Sequence, residues 1–250
     1  MIEEANMKKK IIAIVLTVLL VVTTLLLLVS CSGISNEEDW NKAMDAYQTA
    51  DSLTLTVTDQ LWIYNSIVFQ DHIKEKSTIS FDAEKGVVSI ICVSGGNNLS
   101  GFHSFTEHSY YYVLDGTNVV EYYRYESEYS NEWKQRKTHE FDTVDLAKEY
   151  LRDQYLNYLD SEKLPFEPFT ELNYMDFSSN TFGTFKYEKT VDGKKYAYAL
   201  KFSNGKTSEY TYEYKHDKNP SRRKTEMKIK YSAKVTLPDD LPVNEDDFII

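Results

Sequence analysis

Hydrophobic and polar residues alternate along much of the chain after Asp51, with the two-residue period of half-buried β-strands. In LTLTVTDQLWIY (residues 53–64), leucine, valine and isoleucine fall on one face, and mainly threonine and glutamine fall on the other. Further strands are predicted near 77–81, from Val87 in VVSIICV, on both sides of Asp115-Gly116, near Trp133, over 184–191 and 194–202, in SEYTYEY, and from Met227 to Leu237. The alternation therefore predicts a large sheet.

Short turn sequences separate these strands. Asp115-Gly116, Asp192-Gly193 and Asn204-Gly205 lie between β-prone runs, and such pairs suit hairpin turns that need positive φ. The glycine-rich SGGNN (residues 94–98) is expected to interrupt the sheet pattern, and Pro238 is expected to end the last strand. Because almost all connections are short, the strands should be antiparallel.

Two segments have helical rather than strand periodicity. Ser35 and Glu38 have the spacing of a capping box, which predicts a helix that ends near Asp51. Its apolar face is formed by Trp40, Met44 and Tyr47. A second helix is predicted in TVDLAKEYLRDQYLNYL (residues 143–159), with an apolar stripe at Val144, Ala147, Leu151, Tyr155 and Tyr158, backed by Leu146, Tyr150 and Leu159.

The order of these elements is helix, strands, helix and strands, which predicts an α+β fold. Between the second helix and about Phe182 the sequence has no clear period, and a short helix around Glu171 is one interpretation.

The N-terminal region has a different pattern. From Ile11 to Ser30 there are 20 residues without a charge. This run is longer than a secretory apolar region of roughly 7–15 residues and about as long as the ~20 residues of a membrane-spanning helix. Glu3 and Glu4 are out of place in a basic signal, so Met7, which begins MKKK, is a better candidate for the true start.

The end of the apolar run, Leu28-Val29-Ser30-Cys31, resembles the bacterial lipobox. The resemblance implies that the Cys31 thiol receives a diacylglyceryl group and that a peptidase cleaves between Ser30 and Cys31. Two or more acyl chains hold a protein firmly at a membrane. A retained transmembrane helix with an incidental cysteine is the alternative. The predicted organisation is a signal peptide over 1–30, a lipidated linker over 31–36 and one domain over 37–250.

The charge balance restricts the possible partners. The chain has a formal net charge of −11, and removal of residues 1–30 makes it more negative by one. Such a charge disfavours nucleic acid as a partner. KHDKNPSRRK (residues 215–224) is a local basic segment, interpreted as a solvated loop, with a binding site as the alternative.

Sequence motifs for catalysis or metal binding are not found. After acylation of Cys31, Cys92 is the remaining cysteine, so a disulfide within one chain is excluded. Cys92 lies in an apolar strand, where a cysteine is typically a small buried hydrophobe rather than a nucleophile. The chain has no HExxH, CxxC or GxSxG motif and no P-loop lysine in SGGNNLSG. No catalytic residue, metal ligand or cofactor is predicted.

The element order and the final alternating strand that enters KVTLPDDLP resemble the periplasmic lipoprotein-carrier proteins and the lipid-carrying surface lipoproteins of actinobacteria. The resemblance implies a half-barrel, a strongly curved antiparallel sheet covered by the N-terminal and mid-chain helices. In that family the hollow holds acyl chains and the function is not enzymatic. The candidate ligand-facing residues are Tyr196, Tyr198, Phe202 and Tyr231, and ordinary sheet core is the alternative for these side chains.

The sequence thus predicts a lipid-anchored protein on the extracytoplasmic side of a bacterial membrane, acting as a non-enzymatic binding module for a lipid or other apolar ligand. Its expected partners are the membrane, reached through the acyl chains, and an apolar ligand or an envelope protein. The alternatives are a protein-interaction or structural envelope lipoprotein without a small ligand, and an envelope hydrolase.

Overall fold

The computed structural model describes Thr17 and residues 33–65, 68–98, 103–160, 174–179, 184–216, 219–233 and 235–242. Apart from Thr17, the predicted signal peptide lies outside these residues, as do its cleavage site at Ser30 and Cys31 and the short helix around Glu171.

The described chain forms two α-helices, a single 3-10 turn and eleven strands. They are α1 (Glu37–Asp45), β1 (Ser52–Asn65), β2 (Val68–Asp82), β3 (Val87–Asn98), β4 (His103–Asp115), β5 (Asn118–Ser127), β6 (Ser130–Glu140), α2 (Val144–Asp160), the 3-10 turn (Tyr174–Asp176), β7 (Ser178–Ser179), β8 (Thr184–Val191), β9 (Lys194–Ser203), β10 (Lys206–His216) and β11 (Asn219–Lys230).

All eleven strands form one antiparallel sheet in the order β6-β5-β4-β3-β2-β1-β11-β10-β9-β8-β7. The first six strands form one meander and the last five form another, and β1 pairs with β11 to join them. The sheet is curved and does not close, and two helices accompany it. The predicted fold class, α+β with a curved antiparallel sheet and helices, is confirmed.

The two faces of the sheet differ as the alternation predicts. Leu53, Leu55 and Val57 of β1 are at most 2% exposed and contribute to the core beneath the helices, on what we call the inner face. The intervening threonines lie on the outer face. We call the end of the sheet where β1 begins, next to α1, the helix end, and the end where β1 finishes at Asn65 the far end.

Helix α1 begins one residue later than predicted. Its N-cap is Asn36, whose side chain accepts a hydrogen bond from the Asp39 backbone nitrogen at 2.9 Å. Ser35 is instead the preceding residue, and its backbone nitrogen donates to Asp39 Oδ2 at 3.1 Å. The reciprocal capping pair is therefore shifted by one position, and the helix ends at Asp45 rather than near Asp51. Trp40, Met44 and Tyr47 are buried, as their spacing predicts.

Helix α2 packs on the inner face of β2–β5. Ala147, Leu151 and Tyr155 of its predicted stripe are at most 1% exposed, but Val144 and Leu146 near its start are 40% and 46% exposed. The Tyr155 ring stacks on Phe81 of β2 at a centroid distance of 4.9 Å. The first turn of α2 thus extends beyond the core that the rest of the helix covers.

The hairpin turns at 192–193 and 204–205 were predicted correctly because their signals are local. The turn predicted at Asp115-Gly116 lies one residue later, since Asp115 pairs with Asn118 and Gly116, with a φ of 63°, is the first turn residue. Asp192 and Gly193 have φ values of 51° and 70°, and Asn204 and Gly205 have 53° and 68°. Positive φ at both central residues is the signature of the type I′ turn, which matches the twist of the flanking strands.

Two predictions about strand boundaries are wrong. SGGNN does not interrupt β3, since Gly95 and Gly96 pair with Lys74 and Ile73 of β2 on one side and with β4 on the other. Ladder hydrogen bonds on both sides override the low strand propensity of glycine. The last strand stops at Lys230 instead of Leu237. Beyond it, the Ala233 backbone nitrogen donates to the Ser52 hydroxyl at 2.7 Å, so side-chain contacts replace the ladder.

The basic segment at residues 215–224 is not a solvated loop in the described part. Ser221 to Lys224 belong to β11, and Arg222, Arg223 and Lys224 pair with Trp62, Leu61 and Gln60 of β1. This pairing places Arg223 on the inner face and Arg222 and Lys224 on the outer face.

A buried hydroxyl connects the two helices, and its removal should lower the stability. The Tyr155 hydroxyl donates to the Tyr47 carbonyl oxygen at 2.9 Å, just beyond α1, with the Gln48 carbonyl oxygen at 3.2 Å. Tyr155→Phe leaves a buried acceptor without this donor, so we expect a loss of about 1–2 kcal/mol in the free energy of unfolding. Guanidinium denaturation measures it. Tyr129→Phe, at a residue 91% exposed, is the matched control and should change little.

Candidate functional site

The inner face is buried near the helix end and becomes partly exposed toward the far end. Along β2, Phe81 and Ile79 are 2% and 0% exposed beneath α2, whereas Ile73 on the same face is 42% exposed. Two neighbouring cross-strand rows of this face, which we call the open strip, lie toward the far end. They are Tyr187, Tyr198, Tyr212, Thr225, Asp59 and Glu75, followed by Lys189, Tyr196, Tyr214, Arg223, Leu61 and Ile73. The core of the protein therefore continues into a surface that the helices leave accessible.

Stacked tyrosine rings form one half of the open strip, on β8–β10. The Tyr198 ring is 2% exposed and contacts Tyr187 and Tyr212 at centroid distances of 5.7 and 5.3 Å. Tyr196 stacks on Tyr214 at 5.7 Å, and both rings are half-buried. Tyrosine has an apolar ring and a polar hydroxyl, so this half of the strip suits contact with apolar groups beside water.

A partly buried ion pair occupies the middle of the strip, where β1 meets β11. Arg223 Nε lies 3.0 Å from both carboxylate oxygens of Asp59, and its Nη2 lies 3.0 Å from Oδ2. The Thr225 hydroxyl donates to Asp59 Oδ1 at 2.7 Å. Asp59 is 8% exposed, so its charge is compensated by hydrogen bonds within the sheet rather than by water.

A second acid, Glu75, lies directly opposite Asp59 on β2. Burial is the main cause that raises the pKa of Glu75, and the Asp59 carboxylate raises it further. Arg223 and His108 lower the pKa of Glu75, but they do not cancel the increase. Glu75 is therefore a carboxyl group held where its charge is unfavourable.

Cys92 lies beside the strip under the last turn of α2. Its sulfur is 2.5 Å from the Tyr158 hydroxyl and 3.6 Å from the Ser77 hydroxyl, and burial raises the pKa of Tyr158. His108 is the cross-strand neighbour of Cys92, but its Nδ1 is hydrogen-bonded to the Tyr123 hydroxyl at 2.8 Å. The Cys92 sulfur is therefore within hydrogen-bonding distance of two hydroxyl groups, those of Tyr158 and Ser77.

The structure separates the predicted ligand-facing residues into two groups. Tyr196 and Tyr198 lie in the open strip. Phe202 is 3% exposed and packs on Trp40 of α1 at 5.1 Å, so it belongs to the covered core. Tyr231 lies at the helix end, where its hydroxyl donates to the Thr207 carbonyl oxygen at 3.0 Å and burial raises its pKa.

The charged residues of the strip were not predicted from the sequence. Asp59 occupies an inward position between Val57 and Leu61 in an otherwise apolar alternation, and this exception was the available signal. Arg223 was assigned to a loop. Its position opposite Asp59 depends on a pairing of strands far apart in the sequence.

The described residues contain no cluster of three or more His, Cys, Asp or Glu side chains that could hold a metal ion. No helix in this part of the chain is long and apolar enough to cross a membrane. No protein-family model matches the chain, and no curated protein matches it.

The raised pKa of Glu75 predicts a pH-dependent effect of substitution. A carboxyl group whose pKa is raised in the folded state makes its full contribution to the free energy of unfolding below its ordinary pKa, near 4.5. This contribution is lost as the pH rises through the raised pKa, because the group must then carry its charge in the folded protein. Glu75→Gln removes that cost, so we expect it to raise the free energy of unfolding at pH 7 and to give no gain at pH 4. Unfolding free energies at both pH values test this. The exposed acid Glu84 provides the control, since Glu84→Gln should show no such pH-dependent gain.

Proposed function

We propose that this protein is anchored by acyl chains at Cys31 on the extracytoplasmic side of a bacterial membrane and binds an apolar ligand at the open strip, without catalysing a reaction. The observation that carries the ligand proposal is the exposure of apolar side chains on the inner face near the far end. Beyond the core under α2, and beyond the polar positions Ser77 and Glu75, the inner face of β2 reaches Ile73, which is 42% exposed.

The chemistry of the strip supports a ligand with an apolar body. Ile73 and Leu61 are aliphatic, and Tyr196 and Tyr214 offer half-buried rings on the same face. Covering such side chains with an apolar molecule removes their surface from water, at about 25 cal/mol per Å². The Arg223 side chain, 35% exposed between the two apolar parts, provides a cation for a polar group of the same ligand.

The proposed anchor is compatible with the position of the first described residues. Gly33 lies against the β9–β10 turn at the helix end, where an added Cβ would approach the Gly205 nitrogen to 2.7 Å. Cys31 precedes Gly33 by two residues. An acylated Cys31 would therefore hold the helix end near the membrane, with the far end pointing away.

A photoactivatable fatty acid tests the ligand proposal on the full chain in membranes. We expect peptides of β2 and β8–β10 to be crosslinked. Ile73→Gln should reduce the crosslinked fraction severalfold, because a ligand would cover the 42% of Ile73 that is exposed, and full burial of an isoleucine side chain contributes roughly 1.5–3 kcal/mol.

The matched control is Phe105→Gln. Phe105 is an apolar residue of β4 with a similar exposure, 37%, but on the outer face, and this variant should retain normal crosslinking. Crosslinks confined to outer-face peptides, or an equal loss in both variants, would contradict binding at the open strip and favour a protein-contact function.

Metabolic labelling with an alkyne analogue of palmitate tests the anchor. The full chain should incorporate the label, and Cys31→Ala should abolish incorporation because the thiol is the acyl acceptor. Cys92→Ala, which removes the other cysteine of the chain, should leave labelling unchanged. Label that persists in Cys31→Ala would show that the lipobox interpretation is wrong.

A further inference from the structure

A cleft opens on the outer face near the far end, on the side of the sheet opposite to the open strip. Its volume is about 440 Å³, and its lining includes His72, Lys74 and Lys76 of β2, Gly95 and Asn97 of β3, and Ser104 of β4. This volume lies within the range of small-molecule sites.

The two lysines of the cleft carry uncompensated charge. Lys74 and Lys76 are exposed, and neither has an ion-pair partner among the described residues. They are two residues apart on one strand, so their side chains leave the same face about 7 Å from each other.

Two acids in the same cross-strand row as Lys76 are already paired. Glu226 of β11 lies 2.9 Å from Lys224, and Glu107 of β4 lies 3.6 Å from Arg124. In a chain with a net charge of −11, this leaves a local positive region at the cleft.

Ring stacking extends the positive region toward β11. The Arg222 guanidinium lies 4.3 Å from the centroid of the Trp62 ring, and the His72 ring stacks on Trp62 at 4.9 Å and 8°. Strand order places Arg222 and His72 on opposite sides of Trp62. Stacking fixes these side chains before a ligand arrives, which lowers the entropy cost of binding. His72 Nε2 is buried and has no hydrogen-bond partner in the described structure, which is uncommon for such an atom.

We propose that this outer-face cleft binds a soluble anion that carries two or more phosphate groups. Lysine ammonium groups bind phosphate as compact point charges. Lys74 and Lys76 lie about 7 Å apart, and Arg222 lies in the next cross-strand row. Together they provide more positive charge than a single carboxylate requires. A multivalent anion therefore matches the cleft better than a monovalent one.

The position of the cleft favours a soluble phosphate compound over the headgroups of the anchoring membrane. The preference for a soluble compound rests on the proposed acylation of Cys31, whereas the proposal of the site itself does not. From Asp82 at the helix end to His72, β2 extends over up to about 30 Å. With Gly33 at the helix end, the cleft would lie on the part of the domain farther from the membrane.

Calorimetric titration of the full chain, purified in a nonionic detergent, with tripolyphosphate tests the proposal. We expect saturable binding that weakens as salt rises from 0.05 to 0.3 M, because salt screens exposed charges. The double variant Lys74→Gln/Lys76→Gln should lower the affinity at least tenfold.

A second lysine pair provides the control. Lys228 and Lys230 are also exposed, also two residues apart and also on the outer face, but they lie toward the helix end of β11. Lys228→Gln/Lys230→Gln changes the net charge equally and should alter the affinity less than twofold. Unchanged thermal midpoints would establish that both double variants are folded.

Three results would overturn the proposal. They are the absence of tripolyphosphate binding, an equal loss of affinity in the two double variants, and binding to vesicles of anionic phospholipid that excess tripolyphosphate does not displace. The titration measures the affinity for tripolyphosphate and does not require Cys31 to be acylated. Failure of palmitate labelling would therefore contradict the proposed anchor, and failure of anion binding would contradict the proposed cleft site.

Discussion

The pairing of β1 with β11 is the contact on which both halves of this protein depend. It runs from Thr54 opposite Lys230 to Trp62 opposite Arg222, between segments more than 150 residues apart in sequence. Without it, the two meanders would be separate sheets, each with an open strand edge in place of the central ladder. The pairing buries Val57 against Met227 on the inner face and brings the residues of both proposed sites together.

The same pairing positions charge inside the sheet. Asp59 and Arg223 meet because their strands are neighbours, and the Thr225 hydroxyl completes the set of hydrogen bonds. Replacing a buried ion pair with apolar residues is often neutral or stabilising, so the pair is weak evidence of a stabilising role. Glu75 beside it is held with a raised pKa.

The fold class and most elements could be predicted because their signals are local. Alternation in β1, the Asp192-Gly193 and Asn204-Gly205 turns, and the stripe that contains Ala147, Leu151 and Tyr155 each depend on a few neighbouring residues. The errors occur where tertiary pairing opposes local propensity. Gly95 and Gly96 remain in a strand because both neighbours supply hydrogen bonds, and the last strand ends at Lys230 although its alternation continues.

The sequence by itself determined the strand alternation, the turn positions and the apolar face of each helix, because these depend on residues close together in the chain. It also determined that Tyr196 and Tyr198 share a face. Only the tertiary structure decided that Phe202 is covered by α1 while Ile73 is accessible, and that Asp59 meets Arg223. Only the tertiary structure placed Lys74 in the cross-strand row next to Arg222. The physical reason is that strand order and helix placement decide which inward residues are buried and which charges become neighbours, and neither is encoded in a short segment.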